Sequence, residues 1–275
     1  MGLKDLPSWN RSKDVPINRK REFSRETNEG FEKGNHDMKT VFITAAGGEI
    51  ANPVIKALRM MEEDVRIIGA DASPYSCGLY RVEKAFLVPR VSDAGNYKKA
   101  VVGIIQKEKV DLLIPGSDTE LPLLSMMNDN GELPCKAVVA SHEAVIKTYN
   151  KLETYEFFKV HGLPFATTVK REGLDGLIEE YGFPIIAKPG SGSGSIGIKV
   201  FFSRRELEDA DLPDSYIYQE LVTGIDKGSL GRNEVVANGS PVQRDEISTQ
   251  LYISKKGRVL GIFTSINNLK NGMPV

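Results

Sequence analysis

Short apolar runs alternate with amphipathic helices from Met38 to about residue 145, and this alternation restricts the fold more than any other feature of the chain. Five runs are rich in β-branched and other apolar residues: TVFITAA, VRIIGAD, AFLVPR, VDLLIPGSD and KAVVAS. The stretches between them have helical periodicity. Their predicted inward residues are Ile50, Val54, Leu58 and Met61 in the first helix and Tyr97, Val101, Ile104 and Ile105 in the second. Strands separated by helices of this length predict βαβ units and an α/β domain with a parallel sheet over about residues 38–145.

Composition and charge exclude several classes of function. The 275 residues are 40% hydrophobic and 27% charged, with a net charge of −1, which is typical of a globular protein and gives no field that would attract nucleic acid. No apolar run approaches the roughly 20 residues that span a bilayer, and no signal-peptide pattern is present. Cys77 and Cys135 lie among apolar residues, and with His36, His142 and His161 they form no metal-ligand spacing. We therefore predict a cytoplasmic protein with reduced cysteines and without a membrane or nucleic-acid partner.

The first 37 residues differ in character from the rest. They are polar, mixed in charge and without a sustained apolar period, which predicts a disordered tail. Ordered sequence is expected from MKTVFITAAGG onward, so Met38 is a candidate for the original start of the protein.

The second half of the chain has a different order of elements. Asn150 followed by Glu153 is a capping-box arrangement that predicts the start of a helix, and Gly162 marks its end. A short helix is expected at about residues 176–181. Five β-runs follow it: FPIIAKP, GIKVF, YIYQELV, EISTQLYIS and RVLGIFTSIN, the last two forming a hairpin across Lys256-Gly257. We expect a second domain over residues 146–275.

The segment PGSGSGSIG is unusual because four glycines and three serines occupy seven of the eight positions from Gly190 to Gly197. It joins two short β-runs, which favours a hairpin tip over a linker. Lys188 ends the preceding apolar run, where a partly buried ammonium needs an anionic partner. A lysine beside glycine-rich backbone N–H groups is suited to a polyphosphate, although in a P-loop the lysine follows the glycines. A merely flexible hairpin is the alternative.

These segments, in their order, resemble the ATP-grasp family. The resemblance rests on NKLETYEFF with HGLP, GFPIIAKPGSGSGSIGI, YIYQELVTG and EISTQLYISKKGRVLGIF, and it covers the chain from about Met38 onward. It is a resemblance to the ATP-grasp units of carbamoyl-phosphate synthase large subunits and to related stand-alone carboxylate–amine ligases. MKTVFITAAGGEIANPVIKALR and VDLLIPGSDTELPLL likewise resemble the domain that precedes ATP-grasp modules. It implies an α/β fold in which a Rossmann-like pre-ATP-grasp domain is followed by an incomplete α+β ATP-grasp domain.

The resemblance also implies a set of ATP-binding residues. Lys151 matches the basic residue that reaches the phosphates, and Lys188 matches the one placed between phosphate and adenine. The glycine-rich segment matches the mobile lid over the β- and γ-phosphates: Gly190, Ser191, Gly192, Ser193, Gly194, Ser195 and Gly197. The hinge that reads the adenine edge is matched by Glu220, Leu221 and Val222, with Glu220 taking the exocyclic amine. Glu246 matches the acid that binds ribose, and Asp226 is its competitor.

Ligases of this family join a carboxylate, or bicarbonate, to an amine or ammonia through an acyl phosphate. The resemblance therefore implies an enzyme that uses ATP and Mg²⁺ with a small carboxylate and an amine. In the family the Mg²⁺ ligands lie on later strands with an E-x-N segment, which has no match here. Asn267, Asn268 and Lys270 lie near the positions where family members keep basic residues toward the phosphates. The interpretation is a C-terminally truncated protein, either complemented by another chain or a catalytically inactive ATP-binding remnant. The open edge of an incomplete sheet predicts association or low solubility.

Two further interpretations stay open. TAAGGEIA follows the first predicted strand with an A-x-G-x-x-A pattern, and Asp71 ends the second where a ribose-binding acid belongs, so an NAD-dependent enzyme is the rival. Asp118 and Glu120 follow the run DLLIPGS, where open α/β sheets place ligands. They either orient the acceptor substrate or cap the next helix.

Overall fold

The computed structural model describes residues 38–192, 197–222, 236–237, 240–241, 246–254, 256–267, 269–270 and 273–274. The predicted polar tail lies outside these residues. In the first part of the described chain the strands are β1 (Lys39–Ile43), β2 (Val65–Asp71), β3 (Lys84–Leu87), β4 (Leu112–Ile114) and β5 (Lys136–Ala137). The helices between them are α1 (Ala51–Leu58), α2 (Ala94–Glu108) and α3 (Leu121–Asp129).

The five strands form a parallel sheet in the order β3-β2-β1-β4-β5, which confirms the predicted α/β architecture. Alternate residues of β1 face opposite sides of the sheet. Phe42 packs in the core with residues of α2 and α3, whereas Val41 and Ile43 pack with Ala51 and Ile55 of α1. Because helices cover both faces, the carboxyl edge of the sheet is left to the connecting loops.

The two predicted helix faces fare differently. In α2 the side chains of Tyr97, Val101, Ile104 and Ile105 are all buried, which confirms the prediction. In α1 the buried residues are Ala51 and Ile55, while Ile50 and Met61 are about half exposed. The prediction for Ile50 and Met61 was wrong because α1 begins after the first and ends before the second, so neither lies on a helical face.

A second, antiparallel sheet follows. Its strands are β6 (Thr168–Val169), β7 (Ile185–Pro189), β8 (Lys199–Phe201) and β9 (Tyr216–Glu220), in the order β6-β9-β7-β8. The helices of this part are α4 (His142–Tyr149), α5 (Lys151–Val160), α6 (Leu174–Tyr181) and α7 (Arg204–Glu208). One face of the sheet packs with α6 and α7 in a core that includes Ile185, Ala187, Tyr218, Leu177 and Leu207. The predicted domain boundary at residue 145 lies inside α4, and the division into two domains stays a prediction.

The remaining strands are β10 (Val236–Ala237), β11 (Ser240–Pro241), β12 (Glu246–Ile253), β13 (Val259–Asn267), β14 (Leu269–Lys270) and β15 (Met273–Pro274). The strands β12 and β13 pair antiparallel as the predicted hairpin across Lys256-Gly257. Across the described residues, none of the helices has both the length and the apolar character needed to cross a membrane.

Candidate functional site

Lys188 lies on the side of the antiparallel sheet that faces away from α6 and α7. Ile185 and Ala187 of β7 point into the core, so the alternation of the strand turns Lys188 to the opposite face. Its ammonium donates a hydrogen bond of 2.6 Å to Oε1 of Gln219 on β9. Burial, and secondly the positive charge of Lys151, lowers the pKa of Lys188 to about 8. A partly buried lysine beside a second cation is suited to an anionic ligand.

Lys151 reaches the same place from the start of α5. Asn150 caps this helix, since its side chain accepts a hydrogen bond from the N–H of Leu152 at 3.0 Å. The Lys151 ammonium donates to the Gly192 carbonyl at 2.7 Å, and the Lys151 N–H donates to the Gly190 carbonyl at 2.8 Å. Burial lowers the pKa of Lys151, and the charge of Asp118 opposes that shift. The two predicted phosphate lysines therefore meet beside the first part of the glycine-rich segment.

Both ends of the glycine-rich segment are anchored. Strands β7 and β8 pair antiparallel on either side of it, which confirms the predicted hairpin and excludes a linker between domains. At the first end Gly190 donates to the Ser215 carbonyl at 3.0 Å, and Ser191 forms a bridge with Asn150. At the other end the Tyr216 hydroxyl donates to the Gly197 carbonyl at 2.9 Å. The predicted lid residues Ser193, Gly194 and Ser195 lie outside the described residues.

The end of β9 places a side chain that was not predicted, Gln219, beside Lys188. Thr168, Gln219 and Ile186 are paired across the sheet and share the Lys188 face. Glu220 follows Gln219 and therefore faces the other side, where its carboxylate accepts a hydrogen bond of 2.8 Å from the N–H of Thr167. The structure thus does not bring the Glu220 carboxylate to the lysine pair, although the backbone of Glu220, Leu221 and Val222 remains a predicted adenine contact. Gln219 was missed because the sequence does not fix which face of β9 meets Lys188.

Other predicted residues are placed only in part. Glu246 begins β12, and its backbone pairs with Asn267 of β13. Lys270 is in β14, while Asp226 and Asn268 lie outside the described residues. Within the described ranges, no group of three or more His, Cys, Asp or Glu side chains is placed to hold a metal ion. No Mg²⁺ ligand is therefore assigned among the residues that the structure describes.

The carboxyl edge of the parallel sheet borders an open cavity of about 190 Å³, lined in part by Asp71, Arg90, Tyr97, Thr119 and Glu120. Glu120 is buried, and its two carboxylate oxygens accept hydrogen bonds from the hydroxyls of Tyr97 at 2.6 Å and Thr44 at 2.7 Å. Burial raises the pKa of the Glu120 carboxyl, and the charge of Asp71 adds to this.

Neither acidic residue after β4 caps a helix through its side chain. Ser117 caps the short 3₁₀ turn Asp118–Glu120, and Glu120 makes no capping hydrogen bond at the start of α3. Asp118 instead lies close enough to Lys151 for its charge to act on that ammonium. The cavity edge and the lysine pair are therefore neighbours.

The turns after β1 and β2 pack closely against each other through their backbones. A Cβ on Gly78 would lie 1.7 Å from the Ala46 carbonyl oxygen, so the turn after β2 presses directly against the turn after β1. Asp71 is also engaged there, since its carboxylate accepts hydrogen bonds of 2.9 Å from the N–H groups of Gly47 and Ser73. Groups that a dinucleotide would use are thus bonded within the protein, which disfavours the NAD-dependent alternative.

Comparisons with known proteins find similarity to several ligases and synthetases. A model of the PylC-like N-terminal domain matches residues 41–136. The chain is 26% identical over 221 residues to the N-terminal section of the carbamoyl phosphate synthase large chain from Aquifex aeolicus, over 72% of this chain and 38% of that protein. It is also 26% identical over 125 residues to D-alanine–D-alanine ligase A from Bacillus cereus, over 40% of this chain and 41% of the ligase. The chain thus spans about two fifths of the length of these two relatives.

Solved structures share the fold. The N5-carboxyaminoimidazole synthetase from Staphylococcus aureus, complexed with ADP, superposes with a TM-score of 0.60 at 15% identity, over 86% of this chain and 56% of that one. An L-amino acid ligase from Bacillus licheniformis gives a TM-score of 0.53 at 16% identity, over 84% of this chain and 51% of that one. At these identities the likeness establishes the fold.

Proposed function

We propose, from the premise that this chain belongs to the ATP-grasp superfamily, that it is the ATP-binding part of an ATP-dependent carboxylate–amine ligase. The observation that carries this proposal is the meeting of Lys151 and Lys188 beside the glycine-rich hairpin. Each lysine comes from a different element, and the described partner of Lys188 is a neutral amide. Within the described part of the chain, neither ammonium is hydrogen-bonded to a carboxylate, so the charge of both is available to a polyphosphate.

The proposed chemistry has two steps. An oxygen of the carboxylate substrate, or of bicarbonate, attacks the γ-phosphorus of ATP, the bond from that phosphorus to the bridging oxygen breaks, and ADP leaves. The amine nitrogen then attacks the acyl carbon, the carbon–oxygen bond to phosphate breaks, and the nitrogen loses a proton. The first step brings two anions together, so its barrier depends on positioning and on neutralising charge. Lys151 and Lys188 supply that charge, and Mg²⁺ bound with ATP would add to it.

The glycine-rich segment has a separate task in this proposal. An acyl phosphate is lost if water reaches it, so the site must close while the intermediate exists. Both ends of the segment are anchored, by Ser215 at Gly190 and by Tyr216 at Gly197. Anchored ends with glycine or serine at all but one of the positions between them suit a cover over the phosphates. The acceptor carboxylate or amine is assigned to the edge of the parallel sheet near Asp118 and Glu120, which adjoins Lys151.

Nucleotide titration and product assays test the proposal. ATP should bind the full chain saturably, and Lys188→Met should weaken binding at least about tenfold, since a charge-assisted hydrogen bond contributes about 1.5–3 kcal/mol. Lys199→Met is the matched control, because Lys199 is exposed and pairs with Ala187, so it shares the opposite face of the same sheet. Its ATP affinity should equal that of the unchanged protein.

Turnover separates the ligase from its alternatives. A panel of small carboxylates is offered with hydroxylamine as the amine, and release of ADP is measured together with the hydroxamate. Paired formation of both products supports the ligase. ATP binding without ADP release for any pair would instead support an inactive ATP-binding remnant, and saturable NADH binding that ATP does not displace would overturn the proposal.

A further inference from the structure

A buried chain of hydrogen bonds runs from Lys188 across the sheet to β6. The Lys188 ammonium donates to Gln219 Oε1 at 2.6 Å, and Gln219 Nε2 donates to Thr168 Oγ1 at 2.8 Å and to the Ala166 carbonyl at 3.3 Å. The Thr168 hydroxyl donates in turn to the Ala166 carbonyl at 2.9 Å. Gln219 is 6% exposed and Thr168 is 1% exposed. The glutamine is therefore a buried side chain bonded at both ends of its amide.

These hydrogen bonds determine which end of the Gln219 amide faces Lys188. A backbone carbonyl accepts hydrogen bonds and cannot donate them, so the Ala166 carbonyl requires a donor on its side of Gln219. The Thr168 hydroxyl has already given its proton to that carbonyl and can only accept from Gln219. Nε2 must therefore point to β6, and Oε1 is left to receive the ammonium of Lys188. The reverse orientation would place an N–H group against an ammonium.

We propose that Gln219 is a positioning residue, which holds the Lys188 ammonium toward the phosphate site, and that Thr168 sets the direction of the Gln219 amide. This inference rests on the proposed ATP-binding function and adds two residues to it. Gln219 acts through Lys188 and itself touches no reacting atom. The amide carries no charge, so it orients Lys188 without neutralising it, and the positive charge of the ammonium remains available to bind the ligand.

The charged groups around Lys188 make the inference testable by pH. From α5, Lys151 faces it and disfavours its protonated form. On β9, its directly paired residue is the apolar Ile217, and Gln219 is neutral. On β8, Lys199 pairs with Ala187 and so shares the opposite face. In the part of the chain that the structure describes, the Lys188 ammonium is hydrogen-bonded to an amide and to no carboxylate, which agrees with its lowered pKa of about 8. ATP affinity should accordingly fall as the pH rises through about 8 and the ammonium loses its proton.

The experiment measures the ATP dissociation constant of the full chain from about pH 7 to about pH 10, where the terminal phosphate is already deprotonated. In Gln219→Glu the new carboxylate should stabilise the ammonium and move the break in the profile to higher pH by about one unit or more. In Gln219→Met the loss of the acceptor should move the break to lower pH and weaken binding about tenfold at neutral pH. A role limited to packing would shift neither break.

Thr168 provides the second arm. Thr168→Val keeps the shape but removes the hydroxyl, so Gln219 Nε2 loses its 2.8 Å bond and keeps only the longer one, of 3.3 Å, to the Ala166 carbonyl. The amide is then held less firmly, and the profile should shift in the direction of Gln219→Met. Thr168→Ser restores the hydroxyl and should restore the unchanged profile, while thermal unfolding verifies that each variant is folded. If Gln219→Glu and Gln219→Met leave the break in place, or if Thr168→Val matches the unchanged protein, the inference is overturned while ATP binding stands. If the unchanged protein does not bind ATP, the proposed function itself fails.

Discussion

At the residue scale, Lys151 differs from Lys159, the other lysine of its helix, because its ammonium is turned onto the glycine-rich segment. It donates to the Gly192 carbonyl, and burial disfavours its charged form. A bound phosphate would stabilise the charged form of Lys151, which burial disfavours. We expect Lys151→Met to weaken ATP binding about ten- to hundredfold, which corresponds to a charge-assisted hydrogen bond of about 1.5–3 kcal/mol. Titration with a fluorescent ATP analogue measures the change.

Lys159→Met serves as the control for that substitution. Lys159 lies in the last turn of the same helix, is exposed, and stands over the ring of Tyr155. Its removal takes away the same charge far along the helix axis from the loop, so the ATP affinity should not change. Equal losses in the two variants would mean that overall charge, and no specific contact of Lys151, governs binding.

Two glycines should respond to the same substitution with opposite signs. Gly197 has φ +78°, and a Cβ there would lie 2.9 Å from the Tyr216 hydroxyl oxygen and 3.0 Å from Pro189 Cγ. Gly176 is inside α6, with open space where its Cβ would be. We expect Gly197→Ala to destabilise the protein by about 1–2 kcal/mol and Gly176→Ala to stabilise it by about 0.5–1 kcal/mol. Urea unfolding of the two variants in parallel measures both signs, and a stabilising Gly197→Ala would contradict the left-handed conformation.

At the element scale, the start of α5 is fastened to the hairpin. The Asn150 side chain caps the helix, while the backbone of Asn150 bridges Ser191 and the N–H of Lys151 bonds to Gly190. Losing the cap in Asn150→Ala should cost about 1 kcal/mol of stability and weaken ATP binding, because the first turn carries Lys151. Asn150→Asp should keep the cap and the stability, yet weaken ATP binding through its negative charge beside the phosphates.

The same two measurements apply to both variants: denaturant unfolding for stability and nucleotide titration for affinity. Asn150→Ser retains the cap without a charge and should therefore resemble the unchanged protein in both. An Asn150→Asp variant that binds ATP as tightly as the serine variant would show that the start of α5 does not face the phosphates.

The elements themselves were largely predictable, whereas the direction of single side chains was not. Periodicity locates β7, β8 and β9, and the short runs on either side of the glycines predict a hairpin. The facing of Glu220 and Gln219 depends on how β9 pairs with β6 and β7, and a shift of one residue exchanges the two faces. Nothing in the run YIYQE indicates that register, so Gln219 was not predicted as a contact of Lys188, while Glu220 stays a predicted adenine contact.

Contacts between segments that are distant in the sequence were the second feature that could not be predicted. The bond from Lys151 to Gly192 joins residues 41 positions apart, and it exists only because α5 begins against the end of β7. The cap at Asn150 was predictable because it is local, and the packing of Gly78 on Ala46 was not, because it needs two turns from separate strands. The rule that ligands lie at the carboxyl edge of a parallel sheet did point to Glu120, but its burial against Tyr97 follows from the packing of α2.

At the scale of the whole molecule, the hairpin β12–β13 has one apolar face. Ile247, Leu251 and Ile253 alternate along β12, and their pairing with β13 brings Ile266 and Ile262 to the same side. All five side chains are at least half exposed. A two-stranded hairpin is marginal by itself, and an apolar face of this kind is normally covered by protein. The chain as it stands should therefore associate through this face.

Sedimentation velocity over a range of protein concentrations tests that expectation. Leu251→Lys places a charge in the middle of the apolar face and should reduce association, since burying an unpaired ammonium is costly. Gln250→Lys adds the same charge at the neighbouring position, which the alternation of the strand turns to the other face beside Phe263. The two variants have equal net charge, so a difference between them reports the face and excludes general repulsion. Association that is equally reduced in both, or unchanged in Leu251→Lys, would place the contact elsewhere on the molecule.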